Sequence, residues 1–143
     1  MTNLSPQTKG YVAELKVICA LINKGCKVFK SCCEDCRYDL VFEFNNILYK
    51  VQVKLARYDS KKGRIEIFAR SMKTNISDSG PIYFPRSYKG EIDHFGIYCP
   101  ELDKCYLIPE EELPVKGTSI SLRIDPVKNN QKLKIRYAKD YEL

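Results

Sequence analysis

Two short runs of the chain are set to place an acid, an amide and an amine side by side. They are Arg37-Tyr-Asp-Leu-Val-Phe-Glu-Phe44 and Ile47-Leu-Tyr-Lys-Val-Gln-Val-Lys54, separated by Asn45-Asn46. Asparagine tolerates the positive φ of a tight hairpin turn, so the pattern predicts two antiparallel strands with a two-residue loop. Phe44 then faces Ile47, Asp39 lies opposite Gln52, and Arg37 lies opposite Lys54. Opposed residues share one face of a sheet and faces alternate along each strand. Tyr38, Leu40, Phe42, Phe44, Ile47, Tyr49, Val51, Val53 and Leu55 form an apolar face expected in the core. Asp39, Gln52 and Lys54 fall together on the polar face, and a one-residue slip would bury that polar set.

Phosphodiester hydrolysis needs a divalent cation held by hard oxygens, an activated water, and positive charge near the phosphorane. Asp39 offers a carboxylate oxygen, Gln52 an amide carbonyl, and Val53 a backbone carbonyl. Lys54 is placed to orient or deprotonate water, or to stabilise phosphate charge. A second acid, Glu14, lies upstream on a helical pattern, beside Tyr11, Ile18 and Leu21 at about 100° per residue. From the margin of that stripe it can lean toward Asp39. Mixed charges on an exposed sheet face are also ordinary surface chemistry, so residue types alone leave both readings open.

The elements that must position these groups follow from local signals. Ser5-Pro6 reads as an N-cap followed by proline at the first helical position. Tyr11, Leu15, Ile18 and Ile22 mark the expected buried face, and Lys24-Gly25 ends the helix. Cys26–Phe29, Arg64–Arg70, Ile92–Cys99 and Cys105–Ile108 read as strands. Residues 71–91 carry Gly80, Pro81, Pro85 and Gly90 and predict an irregular basic segment with at most a short helix. Alternation over 118–124 and 132–137 predicts a C-terminal strand pair within 118–137. One helix followed by many strands implies an α/β domain, and 143 residues fit a single domain spanning 1–143.

Composition narrows the partners. The chain carries 24 basic and 18 acidic side chains, a net charge of +6. The surplus lies in residues 1–71, which hold 13 basic against 7 acidic residues, while residues 72–143 hold 11 of each. That favours a polyanionic partner. Arg57, Lys61, Lys62, Arg64, Arg70, Lys73, Arg86 and Lys89, with Tyr83, Phe84 and Tyr88 among them, suit a phosphate backbone. Seven cysteines without paired spacing argue for a reducing, cytoplasmic setting. No apolar run is long enough for a membrane span. The cysteines also lack the paired spacing of a structural zinc site, and His94, the only histidine, has no activating partner.

Glu14, Asp39 and Gln52-Val53-Lys54 in this order resemble the motif of the PD-(D/E)XK nuclease superfamily. The likeness extends through Lys9-Gly10, Gly25, Arg37-Tyr-Asp39-Leu, Tyr49-Lys-Val-Gln-Val-Lys54, Ile92-Asp-His-Phe95 and Tyr98-Cys-Pro-Glu101 to a subgroup containing group I intron-encoded homing endonucleases. The resemblance implies a restriction-endonuclease-like core, with a mixed β-sheet and the N-terminal helix packed against it. It implies Mg²⁺-dependent cleavage of double-stranded DNA, with Mn²⁺ as a possible substitute, by a homo-oligomer, a dimer or a tetramer. Glu14 and Asp39 would be metal ligands, Lys54 the catalytic lysine, and Gln52 would take the second acidic position. The sequence departs from the motif in two places: Tyr38 stands where proline is expected, and Gln52 replaces Asp or Glu. Two alternatives remain: a Holliday-junction-resolving or other structure-selective nuclease, and a non-catalytic DNA-binding module on a decayed nuclease fold.

Overall fold

The computed structural model describes residues 1, 3–33, 35–69, 71–77, 79–112, 119–126 and 135–143, with only the backbone of residues 72–74 and 85. Helix α1 (Pro6–Asn23) starts where its caps predict, with the Ser5 hydroxyl accepting the Thr8 amide at 3.2 Å. Such a cap contributes about 1 kcal/mol. At the other end the Cys26 amide reaches the Leu21 carbonyl and the Gly25 amide the Ile22 carbonyl, with Gly25 at φ 83°. These two bonds form the Schellman closure that requires a left-handed residue.

The sheet is organised on one long strand. Strands β1 (Lys27–Lys30), β2 (Leu40–Phe44) and β3 (Ile47–Asp59) run antiparallel, and Asn45 and Asn46 at φ 52° and 63° close the predicted two-residue turn. Phe44 pairs with Ile47 and Leu40 with Val51, in the expected register. Further along, β3 pairs in parallel with β7 (His94–Cys99), which is antiparallel to β8 (Lys104–Pro109). The end of β3 pairs with β4 (Arg64–Phe68), and β4 pairs with β9 (Ser119–Arg123). The result is a mixed seven-stranded sheet with α1 against one face.

That helix presents a different stripe from the one expected. Ala13, Val17 and Leu21 are buried, whereas Tyr11, Leu15 and Ile22 are about half exposed. The helix is apolar around most of its circumference, and contact with the sheet selects the slimmer face. Val17 sits over Gly96 of β7, where an added Cβ would lie 2.8 Å from Val17 Cγ1. Buried Val17 and Leu21 each contribute roughly 1.5–3 kcal/mol relative to solvent exposure.

The polar face of β3 is not the open surface its residue types suggest. Ile65, Ile67, Ile120 and Leu122 of the β4–β9 limb join Phe95, Ile97, Tyr106 and Ile108 in a second core cluster that includes Ala56. Gln52 is consequently buried at 8% exposure. Phe44 and Ile47, at the hairpin tip, are about half exposed instead of core.

The segment expected to be irregular is a β-ribbon. Strands β5 (Ser71–Ser77) and β6 (Gly80–Arg86) pair from Ser71 with Arg86 to Ser77 with Gly80. Glycine and proline suggested a break here. A two-stranded ribbon, however, has two outer edges on which a missing proline N–H interrupts no ladder, and Gly80 adopts φ 111° at the turn. Of the expected C-terminal pair, β9 forms against β4, and Tyr137 makes an isolated bridge to Arg123. Residues 118 and 132–134 of that pair lie outside the described residues.

Candidate active site

Backbone bonds fix Asp39 before any side chain acts. Its amide donates to the Val51 carbonyl at 2.9 Å, and its carbonyl accepts the Ser31 amide at 3.3 Å. The carboxylate is thereby held between β1 and β3, opposite Gln52. Its Oδ2 accepts two bonds, from the Gln52 side-chain amide at 2.6 Å and from the Val53 backbone N–H at 2.7 Å. Burial raises the Asp39 pKa above the usual carboxylate value; the Val53 N–H opposes this, the Glu14 charge adds to it, and Lys54 and Gln52 oppose it.

Glu14 and Asp39 line one cleft of about 370 Å³, together with Tyr11, Lys30, Cys33 and Cys36. Glu14 pairs with Lys30 Nζ at 2.9 Å, and that ammonium lies 4.2 Å from the Tyr11 ring centre. Lys30 went unnoticed in the sequence as a site residue. The available signal was antiparallel pairing of the short first strand with β2, which sets Lys30 beside Leu40 and one residue from Asp39. A larger cavity, about 600 Å³, is lined by Tyr106, Arg123 and Tyr137 and contains none of the four candidate residues.

Lys54 Nζ donates to the Tyr88 hydroxyl at 3.0 Å and acts electrostatically on Asp39. Tyr88, grouped in the sequence with the DNA-facing aromatics, is buried at 4% exposure, whereas Tyr83 and Phe84 are exposed. The expected Arg37–Lys54 pairing does not form because the ladder ends before Arg37, which turns to Glu91.

Glu14 and Asp39 therefore line one cleft, Gln52 and Val53 bond the Asp39 carboxylate from the neighbouring strand, and Lys54, held by Tyr88, acts on Asp39 only through its charge. Two carboxylates, an amide oxygen and a backbone carbonyl are hard donors of the kind Mg²⁺ and Mn²⁺ take. Among the described residues, no three His, Cys, Asp or Glu side chains are grouped to hold a metal ion. A cation bound here would accordingly depend on amide and carbonyl oxygens besides the two carboxylates. The Gln52 NH₂ also points at the Val53 carbonyl, at 3.4 Å, so the amide must turn over to offer its oxygen to an ion. All seven cysteines are free.

The basic residues divide. Arg57 and Arg64 lie on the outer face of the β3–β4 pair, and Lys61 and Lys62 lie in its loop. Arg64 pairs with Glu66 at 2.6 Å, Lys62 with Asp59 at 3.2 Å, and Arg86 with Glu91. Arg57, Lys61 and Lys89 make no ion pair among the described residues. Arg70 and the side chain of Lys73 lie outside them.

The sequence profile of the PD-(D/E)XK endonucleases matches residues 4–143. Among solved structures, the bacterial homing endonuclease I-Ssp6803I is similar at 26% identity and a TM-score of 0.71, covering 97% of this chain and 89% of that one. MepB is 18% identical over 85% of this chain and 86% of that one, with a TM-score of 0.33. No curated protein matches.

Proposed function

Since the chain belongs to the PD-(D/E)XK endonuclease family, we propose that it is a divalent-metal-dependent endonuclease hydrolysing double-stranded DNA, of the site-specific homing type. The observation carrying this reading is the Asp39 carboxylate locked against Gln52 and Val53 in a cleft shared with Glu14. Glu14, Asp39, the Gln52 amide oxygen and the Val53 carbonyl would hold Mg²⁺, with Mn²⁺ as substitute. When bound, the ion supplies Lewis-acid charge to the phosphoryl oxygen and lowers the pKa of a coordinated water.

The chain's own groups then orient the displacement. Lys54 donates hydrogen bonds to the attacking water and to the phosphate, where negative charge grows as the leaving oxygen departs. Arg57, Lys61 and Lys89, together with the paired Lys62, Arg64 and Arg86, would contact the DNA backbone. One site cuts one strand, so cutting both calls for at least a symmetric dimer. The same reading puts the protein in the intracellular compartment that holds its DNA. No helix among the described residues is long and apolar enough to cross a membrane.

The test is cleavage of a random-sequence duplex library, with branched duplexes alongside, in Mg²⁺ or Mn²⁺. Cuts at defined linear sites support the proposal, and cuts confined to branched DNA would replace it with a structure-selective nuclease. Binding without nicking under any metal condition would leave only a DNA-binding module.

A further inference from the structure

Tyr88 lies in the connection between β6 and β7, 4% exposed, with its ring edge-on to Phe95 at 5.4 Å between centroids. Phe95 is the cross-strand neighbour of Gln52, so the ring is anchored beside the strand that carries Gln52 and Lys54. Its hydroxyl takes one of the three ammonium donors of Lys54, at 3.0 Å. The Arg37 guanidinium lies 4.2 Å from the same ring centre. Arg37 in turn donates to Glu91 Oε2 at 2.5 Å, to Ser71 Oγ at 2.9 Å and to the Ser87 carbonyl at 2.9 Å. Ser71 opens β5 and Ser87 directly follows β6, so one guanidinium clamps both legs of the β5–β6 ribbon. Glu91 also holds Arg86, the last residue of β6.

Resting on the nuclease reading above, we infer that Tyr88 is a positioning residue for Lys54. We infer also that Arg37 links the setting of Tyr88 to the root of the β5–β6 ribbon. A lysine head on a flexible four-carbon stem samples many places; a hydroxyl on a buried ring gives it one. The remaining ammonium donors then stay aimed at water and phosphate. Arg37 fixes the ring by stacking, and a planar fork suits that task where a lysine would not. A ribbon displaced by a bound duplex would shift Arg37 and, through the ring, the lysine.

The test uses Tyr88→Phe, which keeps the ring, its stacking and its burial and removes only the hydroxyl. The substrate is a duplex that the wild-type protein selects from a random library. Single-turnover cleavage at saturating DNA and Mg²⁺ should slow about 10- to 100-fold, the scale of an ångström of misplacement, with DNA affinity and melting temperature unchanged. Arg37→Met should slow the same step, and the double variant should be no slower than Tyr88→Phe, because both act through one ring. Wild-type rates in Tyr88→Phe, or losses tracking DNA affinity or folding, would overturn the inference; multiplicative losses in the double variant would overturn the Arg37 link. Lys54→Ala run alongside separates the two readings. Full activity there would overturn the site assignment and this inference together. An inactive Lys54→Ala beside a fully active Tyr88→Phe would overturn this inference alone.

Discussion

The Gln52 side-chain amide donates to Asp39 Oδ2 at 2.6 Å, an arrangement that a glutamate at position 52 could make only by keeping a proton. Position 52 therefore stabilises the metal-free protein, and in the proposed metal site it would leave the ion one negative charge short of what a glutamate would supply. Gln52→Glu should lower the Mg²⁺ concentration for half-maximal cleavage by roughly an order of magnitude, since cation affinity rises with the number of charged ligands. The metal-free variant should melt below wild type at neutral pH, because two carboxylates would face each other across that gap. A metal titration of cleavage and a thermal melt in chelator check both halves; an unmoved midpoint would remove residue 52 from the ion's surroundings.

Asp39→Asn should abolish cleavage yet stabilise the metal-free protein at neutral and alkaline pH. Both donors to Asp39 converge on one oxygen, so the single amide oxygen of asparagine can accept both. The Asp39 pKa is raised in the fold, mainly by burial. The stability gained by protonating it is present in full below the unfolded value of 3.8 and is lost as pH rises through the raised folded value. The advantage of asparagine should therefore be widest above the folded value and shrink as pH falls through it. Melting curves across pH in chelator read this directly, and equal curves at every pH would contradict a destabilising buried carboxylate.

Lys30 bears on the same cleft from β1. Its ammonium pairs with Glu14 at 2.9 Å with both side chains partly exposed, the class of pair that contributes about 0.2–1 kcal/mol. A cation that uses Glu14 must displace this ammonium. Lys30→Met should therefore lower the Mg²⁺ midpoint by about 1.4- to 5-fold, the equivalent of that energy, if the pair is wholly lost. A raised midpoint would mean that Lys30 assists the site rather than competing for it.

What could be read from the sequence depended on how local its determinants were. The β2–β3 register was legible because two asparagines and strict alternation specify it within a few residues, and that register carries Asp39 to Gln52 and Val53. The caps of α1 were legible for the same reason, and the restriction-endonuclease-like α/β core followed from the motif. The buried stripe of α1 was not, because Tyr11, Leu15 and Ile22 are as apolar as Ala13, Val17 and Leu21. Contact with the sheet, including the close approach of Val17 to Gly96 far away in sequence, decides between the two. Lys30 and Tyr88 were hidden likewise: one depends on β1 pairing with β2, the other on a connection folding back against Lys54. The ribbon over 71–86 was not legible because proline and glycine break only interior strands, and the sequence does not show that both strands of this pair are edges.

Gly96 ties the fold to the chemistry, since it sets how closely α1, which carries Glu14, approaches the strands that carry Asp39. An added Cβ there would lie 2.8 Å from Val17 Cγ1 and 3.1 Å from Val51 Cγ1. Val51 belongs to the central strand and cannot yield without disturbing two ladders, so the helix must lift. Gly96→Ala should cost about 1–3 kcal/mol in urea unfolding, the usual penalty of overpacking a filled core. It should also slow cleavage more than its stability loss alone accounts for, because Glu14 moves and Asp39 does not. Adding Val17→Ala removes the methyl groups in the way and should restore part of both losses. A Gly96→Ala protein as stable and active as wild type would show that the helix has room to spare at this crossing, and that Glu14 is positioned by something other than this contact.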